Sequence, residues 1–271
     1  MILSSHGIIG SQITQFPQVS DTDAQAFINR VYTAGGSLSI TEADAVNDLV
    51  IDLKADGIWT KIKAIYPMVG ASAAACAQNL KSSSFTGTFS TGWTFASTGV
   101  TPNGSSAYML TGLIPSTDTS QDSVSIGVYS RTNNTSLTAR IEMGTGSGSS
   151  DFQSAIRWDG SLGNLSRINN GYSGGGYIPT KTSGFFTISR TASNSTKKYE
   201  DGTLKETVTT TSNTPTAVEL IIGARNTTTN PLFHDSKENA LSYISDGLDD
   251  TESSNFYDAV QAFQTTLSRN V

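Results

Sequence analysis

The stretch that decides the fold spans residues 197–208 and reads KKYEDGTLKETV. Strand-forming runs flank the dipeptide Asp201-Gly202, which predicts a β-hairpin with a type I′ turn, because glycine accepts the positive φ that this turn requires. Counting outward from the turn predicts four cross-strand pairs: Glu200 with Thr203, Tyr199 with Leu204, Lys198 with Lys205, and Lys197 with Glu206. We expect Tyr199 and Leu204 to be buried on one face, and the two lysines of the third pair to repel weakly on the outer face.

Further strands are predicted before and after the hairpin by short apolar runs and by alternation of apolar with polar residues. They cover residues 85–95 (strands around a bend), 124–128, 137–143, 152–158, 185–189, 218–222 and 241–244. At least nine short strands joined by turns predict a mainly β chain, folded as a two-sheet antiparallel sandwich of jelly-roll type.

Both ends of the chain carry helical patterns. From Asp21 the apolar residues recur at helical spacing, a second helix is predicted to begin near Thr41, and a short third helix is predicted over 58–66. Near the carboxyl end, acidic residues around position 250 favour a helix start, and an apolar stripe runs through 256–267. The sequence therefore predicts an N-terminal helical segment and a C-terminal helix.

These patterns divide the chain into three parts: an N-terminal arm over 1–20, a helical attachment segment over 21–70, and the sandwich with its C-terminal helix over 71–271. The arm shows no sustained hydrophobic period. It is interpreted either as a segment that becomes ordered against a neighbouring subunit or as a frayed terminus.

The composition argues against several classes of partner. The net charge is −6 and the only basic cluster is Lys197-Lys198, so nucleic-acid binding through phosphate neutralisation is not expected. No apolar run reaches the roughly 18 residues that a membrane-spanning helix needs, so membrane insertion is not expected either. Cys76 is the only cysteine, which excludes an internal disulfide and favours a small buried thiol.

Groups suited to catalysis or metal binding are sparse. Glycoside hydrolysis needs two carboxylates that flank the scissile bond, but Glu142 stands alone in its predicted strand and Glu200-Asp201 belongs to the hairpin turn. His6 and His234 offer no triad order and no metal-ligand spacing. We therefore expect no catalytic residue, no metal ligand and no cofactor, and we expect that the protein is not an enzyme.

A glycan-binding platform is the one site for which the residue types are suitable. Sugars stack on aromatic rings and hydrogen-bond to polar groups at the edges of those rings. Trp158, Asp159, Tyr172 and Tyr177 lie on or beside the glycine-rich segment 169–177 and could form such a platform. The alternative is that Trp158 packs in the sandwich and the two tyrosines hold the loop down.

Three segments carry a resemblance to known families. Residues 21–67 resemble the helical lead-in of a group of tailed-phage and prophage virion proteins, and residues 240–267 are similar to the closing strand and helix of the same group. The hairpin over 198–204 resembles the late hairpin of concanavalin A-like and laminin G-like sandwiches. The resemblance implies a lectin-like jelly roll displayed on a virion, and it brings no catalytic residue with it.

Two functional hypotheses follow. The first is a non-enzymatic structural or decoration protein of a phage virion, attached to the head or tail, with other virion proteins as partners and with an oligomeric state on the particle. The alternative is an adhesin that binds a glycan of the host surface through the loop that carries Tyr172 and Tyr177.

Overall fold

The computed structural model describes residues 16–136, 139–146, 148–171 and 176–271. Within these ranges the chain forms five helices: α1 (Thr22–Thr33), α2 (Ile40–Ala55), α3 (Ala73–Cys76), α4 (Pro115–Asp118) and α5 (Asp250–Thr266). The same ranges contain fifteen strands: β1 (Ile62–Tyr66), β2 (Thr88–Phe89), β3 (Trp93–Ala96), β4 (Gly99–Pro102), β5 (Met109–Leu110), β6 (Val124–Ser130), β7 (Met143–Gly146), β8 (Asp151–Ser154), β9 (Arg167–Asn170), β10 (Gly184–Ala192), β11 (Ser195–Glu200), β12 (Thr203–Val208), β13 (Ile221–Ile222), β14 (Arg225–Asn226) and β15 (Asn239–Ser245).

The strands form two sheets that pack face to face. The eight-stranded sheet has the order β12-β11-β10-β6-β15-β4-β3, and β1 pairs with β15 beside this path. The seven-stranded sheet has the order β2-β5-β13-β7-β8-β9, and β14 pairs with β7. All described pairs of strands are antiparallel except β14 with β7. The predicted mainly β sandwich with N-terminal and C-terminal helices is confirmed.

Two apolar cores hold these layers together. One lies between the sheets and contains Phe186 and Ile188 of β10. The other lies between the eight-stranded sheet and a layer made of α1, α2 and α5, and it contains Phe185 of the same strand together with Phe27 and Phe256. Because neighbouring side chains of a strand point to opposite faces, β10 contributes to both cores. The helices therefore pack on the outer face of the larger sheet.

The predicted helices begin where the sequence places side-chain caps. The Asp21 carboxylate accepts hydrogen bonds from the backbone N–H groups of Asp23 and Ala24 at the start of α1. Ser39 with Glu42 forms a capping box at the start of α2, and α5 begins with another capping box. These local bonds explain why the helix starts could be predicted.

The third predicted helix, over 58–66, is wrong. Residues Ile62–Tyr66 form strand β1, which pairs with β15 so that Tyr66 lies opposite Ser242. The pairing partner is far away in the chain, so a tertiary contact overrides the local helical pattern. The helical segment thus supplies a strand to the larger sheet; the division of the chain at residues 20 and 70 stays a prediction.

The hairpin has the predicted turn but a different register. Asp201 and Gly202 both have positive φ, at 48° and 69°, as a type I′ turn requires. The two pairs nearest the turn are as predicted, but a β-bulge then shifts the register, so Lys198 lies opposite Glu206 instead of Lys205. The expected burial of Leu204 is also wrong, because its side chain is 42% exposed.

Three other predicted strands differ in their bounds. The strand predicted over 137–143 begins only at Met143, since Ala139 has a φ of 52° that interrupts an extended chain, and residues 137–138 lie outside the described ranges. The strand over 152–158 ends at Ser154, and the one over 218–222 is reduced to β13. Of the predicted arm, residues 1–15 lie outside the described residues. None of the described helices is long and apolar enough to cross a membrane.

Candidate functional site

A polar groove lies at the end of the sandwich where the two sheets differ in width. The last strand of the smaller sheet, β9, packs against β10 of the larger sheet. The inner faces of β11 and β12 therefore extend past the edge of the smaller sheet. The groove has a volume of about 290 Å³. Its lining comes from β9 and the residues before it, from β11, and from β12 and the residues after it: Leu165, Ser166, Arg167, Asn170, Thr196, Lys198, Glu206, Thr207, Val208, Thr209 and Thr210.

An ion pair between the buried Lys198 and the half-buried Glu206 lines the groove. Lys198 lies opposite Ile188 of β10, so its side chain faces the interior, where it is only 5% exposed. Its Nζ donates to the backbone carbonyl of Asn164 at 2.9 Å and lies 2.9 Å from Oε2 of Glu206. Burial lowers the pKa of Lys198, although Glu206 acts in the opposite direction. The bulge in β12 places this carboxylate opposite the lysine.

A second ion pair contributes Arg167 to the lining of the groove. Nη1 of Arg167 lies 2.9 Å from Oδ2 of Asp151, and both side chains are buried. Nη1 of Arg225 lies 3.6 Å from the other carboxylate oxygen of Asp151. Both basic residues that line the groove, Arg167 and Lys198, therefore contact a carboxylate.

Two buried side-chain oxygen atoms of residues that line the groove have no hydrogen-bond partner among the described residues. These atoms are Oδ1 of Asn170 and Oγ1 of Thr196, and each belongs to a side chain that is 2% exposed. A buried polar atom without a partner costs free energy, and in a cavity it marks a place where a ligand or water can bind. The groove therefore offers a hydroxyl group and a carbonyl oxygen to an incoming polar molecule.

A buried arginine joins β9 to the segment after β12. Arg190 is fully buried, and its Nε donates to the carbonyl of Ile168 in β9 at 3.0 Å. Its Nη2 donates to the carbonyl of Thr210 at 3.3 Å. One guanidinium thus fixes both rims of the groove, which makes the site preorganised.

The four residues predicted for the glycan platform are placed differently with respect to this groove. Tyr177 lies beside it, because its backbone N–H donates to Oε2 of Glu206 at 3.2 Å and burial raises the pKa of its hydroxyl. The ring of Trp158 packs edge-to-face against Phe233, with ring centroids 4.9 Å apart. Tyr172 lies outside the described residues.

Asp159 is engaged in a local turn. Its Oδ1 accepts hydrogen bonds from the backbone N–H groups of Leu162 at 2.6 Å and of Ser161 at 2.7 Å, and these bonds hold the pKa of Asp159 below its ordinary value. The backbone N–H of Gly176 donates to the carbonyl of Leu162 at 2.8 Å, which joins this turn to the segment of Tyr177. The structure thus places Tyr177 beside the groove and the turn of Asp159 next to Tyr177. A glycan platform made of the four predicted residues stays a prediction.

Sequence reasoning did not identify the residues that line the groove. One feature of β11 could have indicated the groove. Residues 196, 198 and 200 alternate along the strand, and they lie opposite the positions of β10 that face the interior of the sandwich. The bulge that brings Glu206 to the same face could not be predicted from the local sequence. Among the described residues no group of three or more His, Cys, Asp or Glu side chains could hold a metal ion.

No protein-family model matches this chain, and no curated protein sequence matches it. Solved structures do match its fold. Domain 4 of AbnA, a GH43 extracellular arabinanase from Geobacillus stearothermophilus solved in complex with arabinotriose, is 17% identical with a TM-score of 0.50, over 72% of this chain and 98% of that domain.

Two other similar structures are larger proteins. The binding domain of botulinum neurotoxin serotype D is 12% identical with a TM-score of 0.48, over 74% of this chain and 52% of that chain. A Trypanosoma rangeli sialidase mutant that displays trans-sialidase activity is 11% identical with a TM-score of 0.46, over 80% of this chain and 39% of that chain. The chain therefore spans about half of the first protein and less of the second. The likeness to the arabinanase domain shows that this chain has a β-sandwich fold shared with a domain solved in complex with a sugar.

Proposed function

We propose that this protein is a lectin-like β-sandwich that binds a glycan in the groove between β9 and β12 without hydrolysing it. The observation that carries the proposal is the pair of buried atoms without partners, Oδ1 of Asn170 and Oγ1 of Thr196, in a polar groove of about 290 Å³. Sugar hydroxyl groups both donate and accept hydrogen bonds, so one ligand can satisfy both atoms. The similar fold of an arabinanase domain solved with arabinotriose supports the proposal.

The neighbourhood of Tyr177 adds an aromatic group to this polar site. Its backbone is bonded to Glu206 at the groove, and its side chain is half-buried. An aromatic residue beside a polar groove can offer a ring face for stacking, because sugar C–H groups pack on the ring face while the hydroxyls bond elsewhere. We therefore include Tyr177 in the proposed site.

The non-enzymatic part of the proposal rests on the carboxylates. Among the described residues that line the groove, Glu206 is the only one with a carboxylate, and this carboxylate pairs with Lys198. Hydrolysis of a glycosidic bond with a general acid and a nucleophile or base requires two carboxyl groups about 5–10 Å apart across the bond. Incubation of the protein with the glycans that it binds should leave those glycans intact, as measured by mass spectrometry of the sugar.

A glycan array with matched variants tests the site. Thr196→Val removes a hydroxyl that makes no hydrogen bond among the described residues, so the fold should be unchanged while glycan binding weakens about tenfold. Thr203→Val, on the exposed start of β12, is the matched control and should bind like the natural protein. An array without signal, or equal binding by the two variants, would overturn the proposed site.

The location of the protein on a phage virion is a separate proposal. Its support is the resemblance of residues 21–67 and 240–267 to virion proteins. The association with other virion proteins and the oligomeric state on the particle depend on the same resemblance. The alternative role as an adhesin of the host surface depends on the loop that carries Tyr172 and Tyr177. Immunogold labelling of purified particles tests the location, and particles without label would contradict it.

Deletion of the whole helical segment is unsuitable as a test of attachment. It would remove β1 from the larger sheet and Phe27 and Val46 from the core beneath α1 and α2. Removal of residues 1–15 leaves these elements in place. If the arm attaches the protein to a particle, this shorter chain should fold, as measured by circular dichroism, and be absent from purified particles.

A further inference from the structure

We infer that the groove selects neutral glycans and rejects glycans that carry a carboxylate or sulfate group. This inference names the ligand class of the proposed glycan site and rests on that proposed function. The observation behind it is the arrangement of charge and hydrogen-bonding atoms around the groove.

The two basic groups of the lining are each paired with a carboxylate. Nζ of Lys198 lies 2.9 Å from Oε2 of Glu206, and Nη1 of Arg167 lies 2.9 Å from Oδ2 of Asp151. An ionised ligand would therefore compete with a carboxylate that is already in place. Separating a buried ion pair leaves an uncompensated charge and is strongly unfavourable.

The lining also contains oxygen atoms that can bind a ligand. The two buried side-chain oxygens of the lining without partners are Oγ1 of Thr196, which can donate or accept, and Oδ1 of Asn170, which can only accept. The carboxylate of Glu206, which also lines the groove, can likewise only accept when it is ionised. Acceptors favour a ligand that brings hydroxyl donors, whereas the oxygens of a ligand carboxylate or sulfate would face like-charged or acceptor oxygens.

Two further arginines, Arg190 and Arg225, lie close to the lining. Arg190 directs its guanidinium to the carbonyls of Ile168 and Thr210, so it fixes the rims of the groove. Arg225 lies 3.6 Å from Asp151 and over the ring of Phe233, with 5.2 Å from its Cζ to the ring centroid. Both guanidinium groups are thus engaged by groups of the protein itself.

Glu206→Gln tests this assignment, because it removes the negative charge and keeps an amide oxygen that can accept from Lys198 and from the N–H of Tyr177. The cation of Lys198 would then lie in the groove without its carboxylate. Glu238→Gln is the matched control: Glu238 forms a 2.7 Å ion pair with Arg131, and its side chain is 20% exposed, compared with 24% for Glu206.

The probes are neutral and acidic oligosaccharides of equal length, including arabinotriose and a trimer of galacturonic acid, measured with the whole chain by calorimetry. The natural protein and Glu238→Gln should bind neutral sugars at least about tenfold more tightly than acidic ones, and Glu206→Gln should lose most of this preference by gaining affinity for the acidic sugars. Melting temperatures of the three proteins show whether each is folded.

The possible outcomes separate the two proposals. If the natural protein binds acidic sugars as well as neutral ones and Thr196→Val weakens both, the inference of neutral selectivity is overturned while the glycan site stands. If Glu206→Gln leaves the preference unchanged in a folded protein, charge in the groove does not determine selectivity and the inference is again overturned. If no sugar binds to the natural protein, the proposed function fails and the inference fails with it.

Discussion

A buried lysine between two carboxylates gives the sharpest test of how this sandwich is stabilised. Nζ of Lys237 lies 2.6 Å from Oε1 of Glu142 and 2.8 Å from Oδ1 of Asp235, and each of the three residues is at most 3% exposed. Glu142 directly precedes β7 of the smaller sheet, and Lys237 lies just before β15 of the larger sheet. The three charges therefore join the two sheets at one end of the sandwich.

Lys237→Met removes the only cation of this triad and leaves two carboxylates in the interior. Removal of one partner of a buried ion pair typically costs about 3–5 kcal/mol, and we expect the upper part of that range because two charges lose their partner together. Even with Lys237 present, burial raises the pKa of Glu142, since the loss of hydration outweighs the attraction of the lysine. In the variant the backbone N–H of Ile156, 3.0 Å from Oε2 of Glu142, is the hydrogen-bond donor that remains.

The deficit should depend on pH with a definite sign. A carboxyl group whose pKa is raised in the folded state destabilises the fold above its unfolded pKa, because it must either be buried as an anion or take up a proton. The deficit of Lys237→Met is therefore largest at about pH 7 and shrinks as the pH falls toward the ordinary pKa of Glu142, 4.5. Urea unfolding followed by tryptophan fluorescence at both pH values measures it.

A surface pair provides the control for this experiment. Lys63 lies 2.9 Å from Asp246, but both side chains are substantially exposed, so Lys63→Met should cost less than about 1 kcal/mol at either pH. A loss of less than about 1 kcal/mol for Lys237→Met at neutral pH would refute the reasoning. A loss of the same size at both pH values would also refute the reasoning, because it would show that ionisation of the two carboxylates does not cause the loss of stability.

Three further predictions concern the fold. Deletion of Lys205 keeps Glu206 opposite Lys198, whereas deletion of Glu206 places Lys205 opposite Lys198. The variant without Lys205 should therefore have the higher melting temperature, and equal melting temperatures would contradict the role of the Lys198–Glu206 pair. Gly127→Ala should cost about 1–3 kcal/mol in urea unfolding, since a Cβ atom would collide with a buried aromatic ring of β15. Burial opposes ionisation of Asp21, but the hydrogen bonds that its carboxylate accepts hold its pKa below the ordinary value of 3.8. Asp21→Asn should therefore lower the free energy of unfolding at about pH 7, where Asp21 is ionised, and change it very little at about pH 2.

The helices could be predicted because the forces that begin them are local. Asp21 and Ser39 bond to backbone N–H groups two or three residues ahead, and the apolar stripe behind each cap is readable within one window of sequence. The hairpin turn is local in the same way, since Asp201 and Gly202 alone determine its type. The sandwich could be predicted because many short strand and turn patterns of this local kind occur along the chain.

The strands that were misplaced depend on partners far away in the chain. Residues 62–66 show a pattern that also suits a helix, and they form a strand because β15, about 180 residues later, provides hydrogen bonds to them. The alternation over 137–143 predicts a strand, but the positive φ of Ala139 breaks the extended chain before Met143. Neither the distant partner nor the backbone angle is visible in the local pattern.

The groove shows how a single extra residue can create a site that sequence reasoning does not find. In the regular register, Lys198 and Lys205 would face the interior together, because the position of Lys198 lies opposite Ile188 of the inner core. Two lysines cannot be buried side by side without a counter-ion, so the bulge, which leaves Lys205 exposed and brings in Glu206, is the arrangement with the lower free energy. The wrong register and the missed groove thus have one cause. The face of the hairpin that carries Lys198 is predicted to face solvent, but in the structure it faces the interior of the sandwich. The free energy of burying Lys198 determines both the register of β12 and the charge of the proposed binding site.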